Sequence, residues 1–315
     1  MGDNFSDGLP DLGLWRTFLA VHRTGSLSAA ARVVGVTQPA VSAQLQALER
    51  AVGEQLFVRG ARGVSPTVRA NELAARLAGP FDLLASALAE ADPASAADQP
   101  PVRLGGPAEL LGEVVAPILA PLIAEGVRVS VTPGMPGPLV DALRTGTLDL
   151  VIASERPRGR TLVAVPFVDE TFLLVANPDV ARGLGVGGAA LRAGAPLLDS
   201  IPLLAYSDDV PILRRYWRHV FGRRLERGAA LTFPDLRALR EAAIAGAGVT
   251  ALPSYLCRAA LASGALVELF PTDDPPINTL WLVRRPGGAV RPHVERVAGV
   301  LTQAVAEIVE ADANV

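Results

Sequence analysis

The chain contains no lysine, and all 29 of its basic residues are arginine. It has one cysteine, Cys257, so no disulfide can close within it. Its three histidines, His22, His219 and His293, are scattered, and with a single cysteine they offer no metal-ligand spacing. No run of about 18 uninterrupted apolar residues exists, which argues against a membrane-spanning helix. The longest apolar region, Leu110 to Ile123, is broken by Glu113, Pro117 and Pro121. The opening Met1-Gly2-Asp3-Asn4 is acidic and lacks the basic-then-apolar order of a secretory leader. No Gly-x-Ser-x-Gly elbow signals a hydrolase nucleophile. Together these absences predict a soluble cytoplasmic protein, not an enzyme, with no metal or organic cofactor and no membrane partner.

At 315 residues, half of them hydrophobic, the chain can bury two or three domains. The net charge of −3 hides an asymmetry. Between Leu12 and Gly79 eight arginines face three glutamates, giving that segment +5 and leaving −8 for the rest. A basic N-terminal module on an acidic protein points to a polyanion as that module's partner.

Residues 13–92 read as helices with two sharp interruptions. Residues 93–101 are small, polar and proline-rich, the composition of a hinge. From Val102 short β runs alternate with helical patterns: 102–105, a helix over about 107–124, 127–132, a helix over 137–145, and 148–153. That order predicts an α/β fold with a largely parallel sheet. Further strands are expected near 161–168, 171–176, 203–206, 229–232, 248–252 and 278–284. Helices are expected near 210–221, 234–246, 254–262 and 290–310.

The segment Gly25 to Glu49 carries the first functional signal. Ser26 or Ser28 can cap a short helix of small residues. Gly35 can take φ > 0 and end it. Thr37 then caps a second helix, with Pro39 in the first turn, where a missing N–H costs little. A turn of three or four residues between two such helices is helix-turn-helix spacing. In the second helix Val41, Leu45 and Leu48 form the buried stripe, while Gln38, Ser42, Gln46 and Glu49 fall on or near the opposite side. Gln and Ser carry donors and acceptors suited to base edges and phosphates in a major groove of double-stranded DNA.

Next, Leu56 to Thr67 places two short β runs around a Gly- and Arg-rich tip, a hairpin wing on which Arg59 and Arg62 would follow a phosphate backbone or enter the minor groove. A long helix follows from Val68 to about Asp92. Leu73, Leu77, Phe81, Leu84 and Leu88 are spaced 4, 4, 3 and 4 along it, a packing seam. At a helical rise this segment spans roughly 37 Å, too long for a small winged module to cover, so the seam predicts dimerisation. Gly79-Pro80 predicts a kink near Arg76–Pro80.

Two signals are set aside. Gly183 to Gly188 spells a dinucleotide fingerprint but follows the loop signal Asn177-Pro178-Asp179 instead of a strand. The arginines at 214, 215, 218, 223, 224 and 227 read as a solvated helix face.

The chain resembles LysR-type transcriptional regulators over essentially its whole length. Phe18, Gly25-Ser26-Leu27, Ala30-Ala31, Thr37-Gln38-Pro39-Ala40-Val41-Ser42, Gln44, Leu48-Glu49, Gly53, Leu56-Phe57, Arg59, Arg62-Gly63 and Thr67 carry the resemblance. Leu148 to Ile152, Leu173 to Ala176 and Gly246 to Pro253 extend it. The resemblance implies a winged helix-turn-helix (1–67), a dimerising linker helix (68–92), a hinge (93–101) and a two-lobed α/β effector domain like periplasmic binding proteins (102–315, second lobe about 177–270). It implies a homodimer or homotetramer that binds DNA and is tuned by a small-molecule effector held between the lobes. Gln38, Pro39 and Ser42 match its DNA-reading positions, with Ser26, Thr37, Gln46, Arg59 and Arg62 beside them. Ala43 stands where many members carry Arg.

The effector contacts implied by the resemblance are Gly106, Pro107 and Glu109 after the first strand, Pro133, Gly134 and Met135 after the second, and Tyr206, Ser207 and Asp208 in the opposing lobe. Members often have Ser or Thr just after the first strand to bind an effector carboxylate. This chain reads Leu104-Gly105-Gly106-Pro107-Ala108-Glu109, with no hydroxyl. Backbone N–H groups of the helix start could still hold an anion. Glu109 suits either the helix dipole or an effector amine or hydroxyl. Ser207 and Asp208 suit N-capping as well as ligand contact. An effector-independent nucleoid protein is the competing reading. An enzyme or solute receptor on the same two-lobe fold would have no use for residues 13–92.

Overall fold

The structure, a computed structural model, describes residues 10–60, 63–90, 100–158, 162–184, 195–286 and 291–312. The chain forms two compact units. One combines the chain up to Gly106 with Leu122–Val165 and Leu282–Gly299; the other combines Pro107–Pro121, Pro166–Trp281 and the chain from Val300.

The first unit begins with three helices whose ends are fixed locally. Helix α1 (Leu12–Thr24) starts at Asp11, whose carboxylate accepts from the Gly13 N–H at 2.8 Å. Helix α2 (Leu27–Val34) is capped by Ser26, which accepts from the Ala29 N–H. It ends at Gly35, whose φ of 80° is a left-handed conformation that a β-carbon would strain. Helix α3 (Gln38–Val52) is capped by Thr37 and carries Pro39 in its first turn. Strands β1 (Phe57–Gly60) and β2 (Gly63–Pro66) pair antiparallel as a hairpin. Helix α4 (Val68–Glu90) then runs continuously, with Pro80 inside it.

One apolar core joins these elements. Phe18, Val41, Leu45, Leu48, Leu56 and Phe57 are buried together, and the tilted rings of Phe18 and Phe57 meet with centroids 5.6 Å apart. Helix α4 enters this core through Ala70, Ala74 and Ala78, each fully buried. Their four-residue spacing makes a small-residue stripe on which another helix can lie close. His22 Nε2 meets Asn71 Oδ1 at 2.8 Å and ties α1 to α4.

The α/β part of this unit is parallel. Strand β3 (Val102–Gly106) lies between β4 (Val129–Pro133) and β5 (Leu150–Ala153). The chain between β3 and β4 is helical, and its part over Pro107–Pro121 belongs to the second unit. The single helix expected over 107–124 is resolved into a short α5 (Ala108–Leu110), a π-helical turn over Leu111–Val115, and α6 (Ala116–Ala124). Helix α7 (Pro136–Arg144) connects β4 to β5.

Strand β6 (Val163–Ala176) passes from the first unit into the second along the chain. Two strands were expected here, near 161–168 and 171–176, with a break at Asp169-Glu170. The chain instead stays extended through it, because the Glu170 carboxylate accepts from Tyr255 and Asn278 and needs no solvent-facing turn.

In the second unit come α8 (Pro178–Gly183), β7 (Leu204–Ala205), α9 (Pro211–Phe221), β8 (Leu231–Thr232), α10 (Leu236–Ile244), β9 (Thr250–Pro253), α11 (Ser254–Ala262) and β10 (Val267–Glu268). Strand β6 pairs antiparallel with β9 and β10, whereas β7 and β8 are parallel. Strand β11 (Ile277–Arg284) returns the chain to the first unit, and α12 (Pro292–Asp312) follows. Of the fingerprint-like segment, Gly183 ends α8 and the remainder beyond Leu184 lies outside the described residues.

Candidate DNA-reading and effector sites

Helix α3 has one buried side and one polar side. Val41, Leu45 and Leu48 point into the core. Thr37, Gln38, Pro39 and Gln46 are exposed, with Ser42 half-buried beside them. Ser26 and Thr37 spend their hydroxyls on helix caps. A groove lined by Ser42, Gln46, Gln55, Phe57 and Val58 opens between this face and the wing. Arg59 is placed by its backbone in β1, while its side chain and all of Arg62 lie outside the described parts.

Two residues aim this face. The Thr17 hydroxyl donates to Gln44 Oε1 at 2.7 Å and fixes α3 against α1. Glu49 accepts from the backbone N–H groups of Leu56 and Phe57 at 2.8 and 3.1 Å, which clips the wing onto α3. The sequence pattern groups Glu49 with the polar face near Gln38 and Ser42. Its carboxylate is instead consumed by the wing backbone. Nothing local in the sequence marks that role, because the acceptor and its donors are joined only by the fold.

Of the seam residues, Leu73, Leu77 and Phe81 each pack in part against the winged core. Leu84 is 47% exposed. The Leu88 side chain lies outside the described parts.

The expected effector residues are distributed over both units. In the first unit Gly106 and Pro133 pair at the ends of β3 and β4, and the Gly134 N–H donates to the Gly106 carbonyl at 3.1 Å. Met135 is exposed at the start of α7. A β-carbon at Gly105 would stand 2.7 Å from Leu148 Cδ1 and 3.0 Å from Leu139 Cδ2, so a side chain at that position requires these leucines to shift.

In the second unit Pro107 is the N-cap residue of α5 and Glu109 lies in its first turn. Burial raises the Glu109 carboxyl above its ordinary range. A bond from its own N–H opposes the shift, the nearby Asp235 adds to it, and Arg237 opposes it. With only three residues in α5 and Glu109 accepting a helix-start N–H itself, the turn is a poor seat for a second anion. Tyr206 faces the same charges, and burial, Glu109 and Asp235 all push its hydroxyl up. Asp235 caps α10 and is gripped by Arg237 at 2.9 and 3.0 Å. Glu109, Tyr206 and Asp235 thus share one polar neighbourhood, of which the sequence marks Glu109 and Tyr206 and the fold adds Asp235.

Ser207 and Asp208 were expected as caps of α9 or as ligand contacts. Neither caps it. The Ser207 hydroxyl donates to Asp209 Oδ1 at 2.6 Å, and Asp208 Oδ1 accepts from Thr232 at 2.9 Å. Val210 sits at the N-cap position with φ of 43°, a left-handed conformation that is costly for a β-branched residue. The cavity behind it, walled by Leu204, Tyr206, Ile212, Leu236 and Thr250, has room for about 10 Å³, one water at most.

Cys257 is fully buried in α11 among Leu204, Leu252 and Leu256. Burial pushes its thiol up to about 12, so it stays protonated and unreactive. Among the described residues no group of three or more His, Cys, Asp or Glu could hold a metal ion, and no helix is long and apolar enough to cross a membrane.

Comparison with known proteins agrees with this geometry. Residues 12–71 match the family model described as bacterial regulatory helix-turn-helix protein, lysR family, and residues 95–306 match the LysR substrate binding domain. The HTH-type transcriptional regulator AbaB of Streptomyces antibioticus is 41% identical over 289 residues, covering 91% of this chain and 95% of AbaB. A probable hydrogen peroxide-inducible genes activator of Streptomyces viridosporus is 28% identical over 311 residues, covering 95% of this chain and 96% of its own. The crystal structure of ArgP from Mycobacterium tuberculosis has the same fold, with a TM-score of 0.72 at 24% identity over 94% of this chain and 97% of that one. Full-length LysG from Corynebacterium glutamicum with bound effector Arg aligns at a TM-score of 0.64 and 17% identity over 95% of this chain and 99% of that one. With both halves matched and AbaB similar over nearly its whole length, the chain belongs to the LysR family of transcriptional regulators, a helix-turn-helix module joined to an effector-binding domain.

Proposed function

We propose that the chain reads double-stranded DNA through the N-terminal half of α3, with Gln38, Pro39, Ser42 and Gln46 at base edges and phosphates and Arg59 and Arg62 on the wing. The observation that carries this is the clamping of α3 by Gln44 and Glu49, which holds one polar edge outward on a rigid frame. The protein acts in the cytoplasm as a homodimer or homotetramer, paired through the exposed parts of the α4 seam. It works as a regulator and not as an enzyme, with no cofactor beyond its effector. The test is selection of bound duplexes from a random pool by the full-length chain. A dyad-symmetric consensus is expected; recovery of unrelated sequences would refute specific reading.

Its effector is a small molecule recognised in part by Glu109 and Tyr206, through an amine or hydroxyl group. Three features support this chemistry: the absent hydroxyl after β3, the half-buried Glu109 carboxylate, and Asp235 beside it. Sensing by thiol oxidation is disfavoured, because the one thiol is sealed in the core. A thermal-shift comparison of amine-bearing metabolites with simple carboxylates tests the assignment, since a ligand stabilises the state it binds. Stabilisation by carboxylates alone would overturn it.

A further inference from the structure

A buried chain of ion pairs in the first unit joins its helix-turn-helix to its α/β part. Arg23, in the last turn of α1, places Nη2 2.8 Å from Asp82 Oδ1 on α4. The other oxygen of Asp82 takes Arg285 Nη2 at 2.7 Å. Arg285 follows β11 directly, and its Nη1 donates to the carbonyls of Leu143 and Leu148 at 2.6 and 2.7 Å, either side of the turn after α7. Behind it Asp149, 2% exposed, pairs with Arg103 and Arg291. Burial alone would raise the Asp149 carboxyl, but Arg103 and Arg291 hold it below the usual range.

Packing at this contact is as close as the hydrogen bonding. Gly146, in the turn between Leu143 and Leu148, has φ of 76°, and a β-carbon there would stand 2.7 Å from Ala78 Cβ and 2.8 Å from Arg23 Nη2. Ala78 is itself part of the fully buried stripe of α4. The side chains of Asp82 and Arg285 are each only 11% exposed. Four largely buried guanidinium groups thus share two buried carboxylates. Withdrawing one partner from such a group strands buried charge, so the contact is either made whole or not made.

We infer that the turn at residues 143–148, together with Arg285, is a docking surface for the chain's own α1–α4 corner, and that Asp82 is the junction that latches the DNA-reading module to the effector domain. Arg285 is the first residue after β11, the strand by which the chain re-enters this unit from the second. A shift of that strand moves the guanidinium that Asp82 holds. Asp82 and Arg23 are positioning residues here, since neither is assigned a contact with DNA. The inference borrows from the proposed function only the direction of the signal. The contact itself is tested without DNA or effector, so it can fail while the DNA reading stands.

The experiment is hydrogen–deuterium exchange on the full-length chain and its Arg23→Met and Asp82→Asn variants. Arg23→Met alters only the helix-turn-helix side. It is expected to speed exchange about tenfold or more at amides of residues 143–148, on the far side of the contact, while β3 and β5 stay protected. Asp82→Asn is expected to speed exchange at both 19–25 and 143–148. Unchanged exchange at 143–148 in Arg23→Met would overturn the latch. So would a response in Asp82→Asn confined to α4.

Discussion

The Tyr255 hydroxyl donates to Glu170 Oε1 over 3.0 Å, joining α11 to the middle of the long strand β6. Asn278 supplies a second donor at 3.4 Å. Burial pushes the Glu170 carboxyl from its ordinary 4.5 up to about 7. The Tyr255 and Asn278 bonds oppose the shift, Glu109 adds to it, and Arg215 opposes it. The folded state therefore holds this proton more tightly than the unfolded chain does. Its contribution to stability is complete below about pH 4.5 and is lost as pH rises through about 7, a swing on the order of 3 kcal/mol. Glu170→Gln should flatten this dependence. Urea midpoints at acidic and mildly alkaline pH measure it, and an unchanged slope against pH would contradict the assignment.

Gln38→Ala or Ser42→Ala should each weaken specific DNA binding by roughly 1–3 kcal/mol, with little change in binding to random duplex. Gel-shift titrations at fixed salt on the selected sequence and on a scrambled one separate the two effects. Equal losses on both would assign these residues to phosphate contact.

Glu49→Ala leaves two wing N–H groups without their acceptor and should cost about 1–3 kcal/mol of stability. Glu49→Gln keeps one acceptor oxygen and should cost less. Both should shorten the footprint on the side the wing covers while sparing the centre read by α3. Denaturant midpoints and hydroxyl-radical footprints check this, and a footprint changed only at its centre would count against the clip.

A fragment ending at residue 70 removes Ala74 and Ala78 from the winged core and Asn71 from His22. It should melt without a cooperative transition, whereas a fragment of residues 1–92 should fold and dimerise. Leu84→Glu in the longer fragment should shift it toward monomer by sedimentation. A folded, monomeric wild-type 1–92 fragment would remove α4 as the pairing helix.

Glu109→Gln deletes the charge but keeps the shape of the side chain. It should weaken the effector-induced thermal shift about tenfold in ligand concentration, as loss of a charge-assisted hydrogen bond does. An unaltered shift would leave Glu109 as an element of the α5 start alone.

The helix-turn-helix is legible in the sequence because its determinants are local. Ser26, Gly35, Thr37 and Pro39 specify caps and turns within a few residues, and each sits where those preferences place it. The continuity of β6 is not legible, because the groups that satisfy Glu170 lie 85 and 108 residues away. Nothing beside Asp82 in the sequence marks its ion pairing, because its partner Arg285 is 203 residues distant. The place of Asp235 beside Glu109 is likewise set by tertiary packing alone. Sequence reveals what a residue asks of its neighbours along the chain; it is silent where the request is met from elsewhere in the fold.

The burial of Cys257 has a practical consequence for the whole molecule. With its one thiol enclosed, the native surface is inert toward maleimides and similar probes. A cysteine introduced at an exposed site away from the α4 seam, such as Phe233, becomes the sole reactive handle, with the core left intact. The protein therefore comes ready for fluorescence distance measurements or spin labelling.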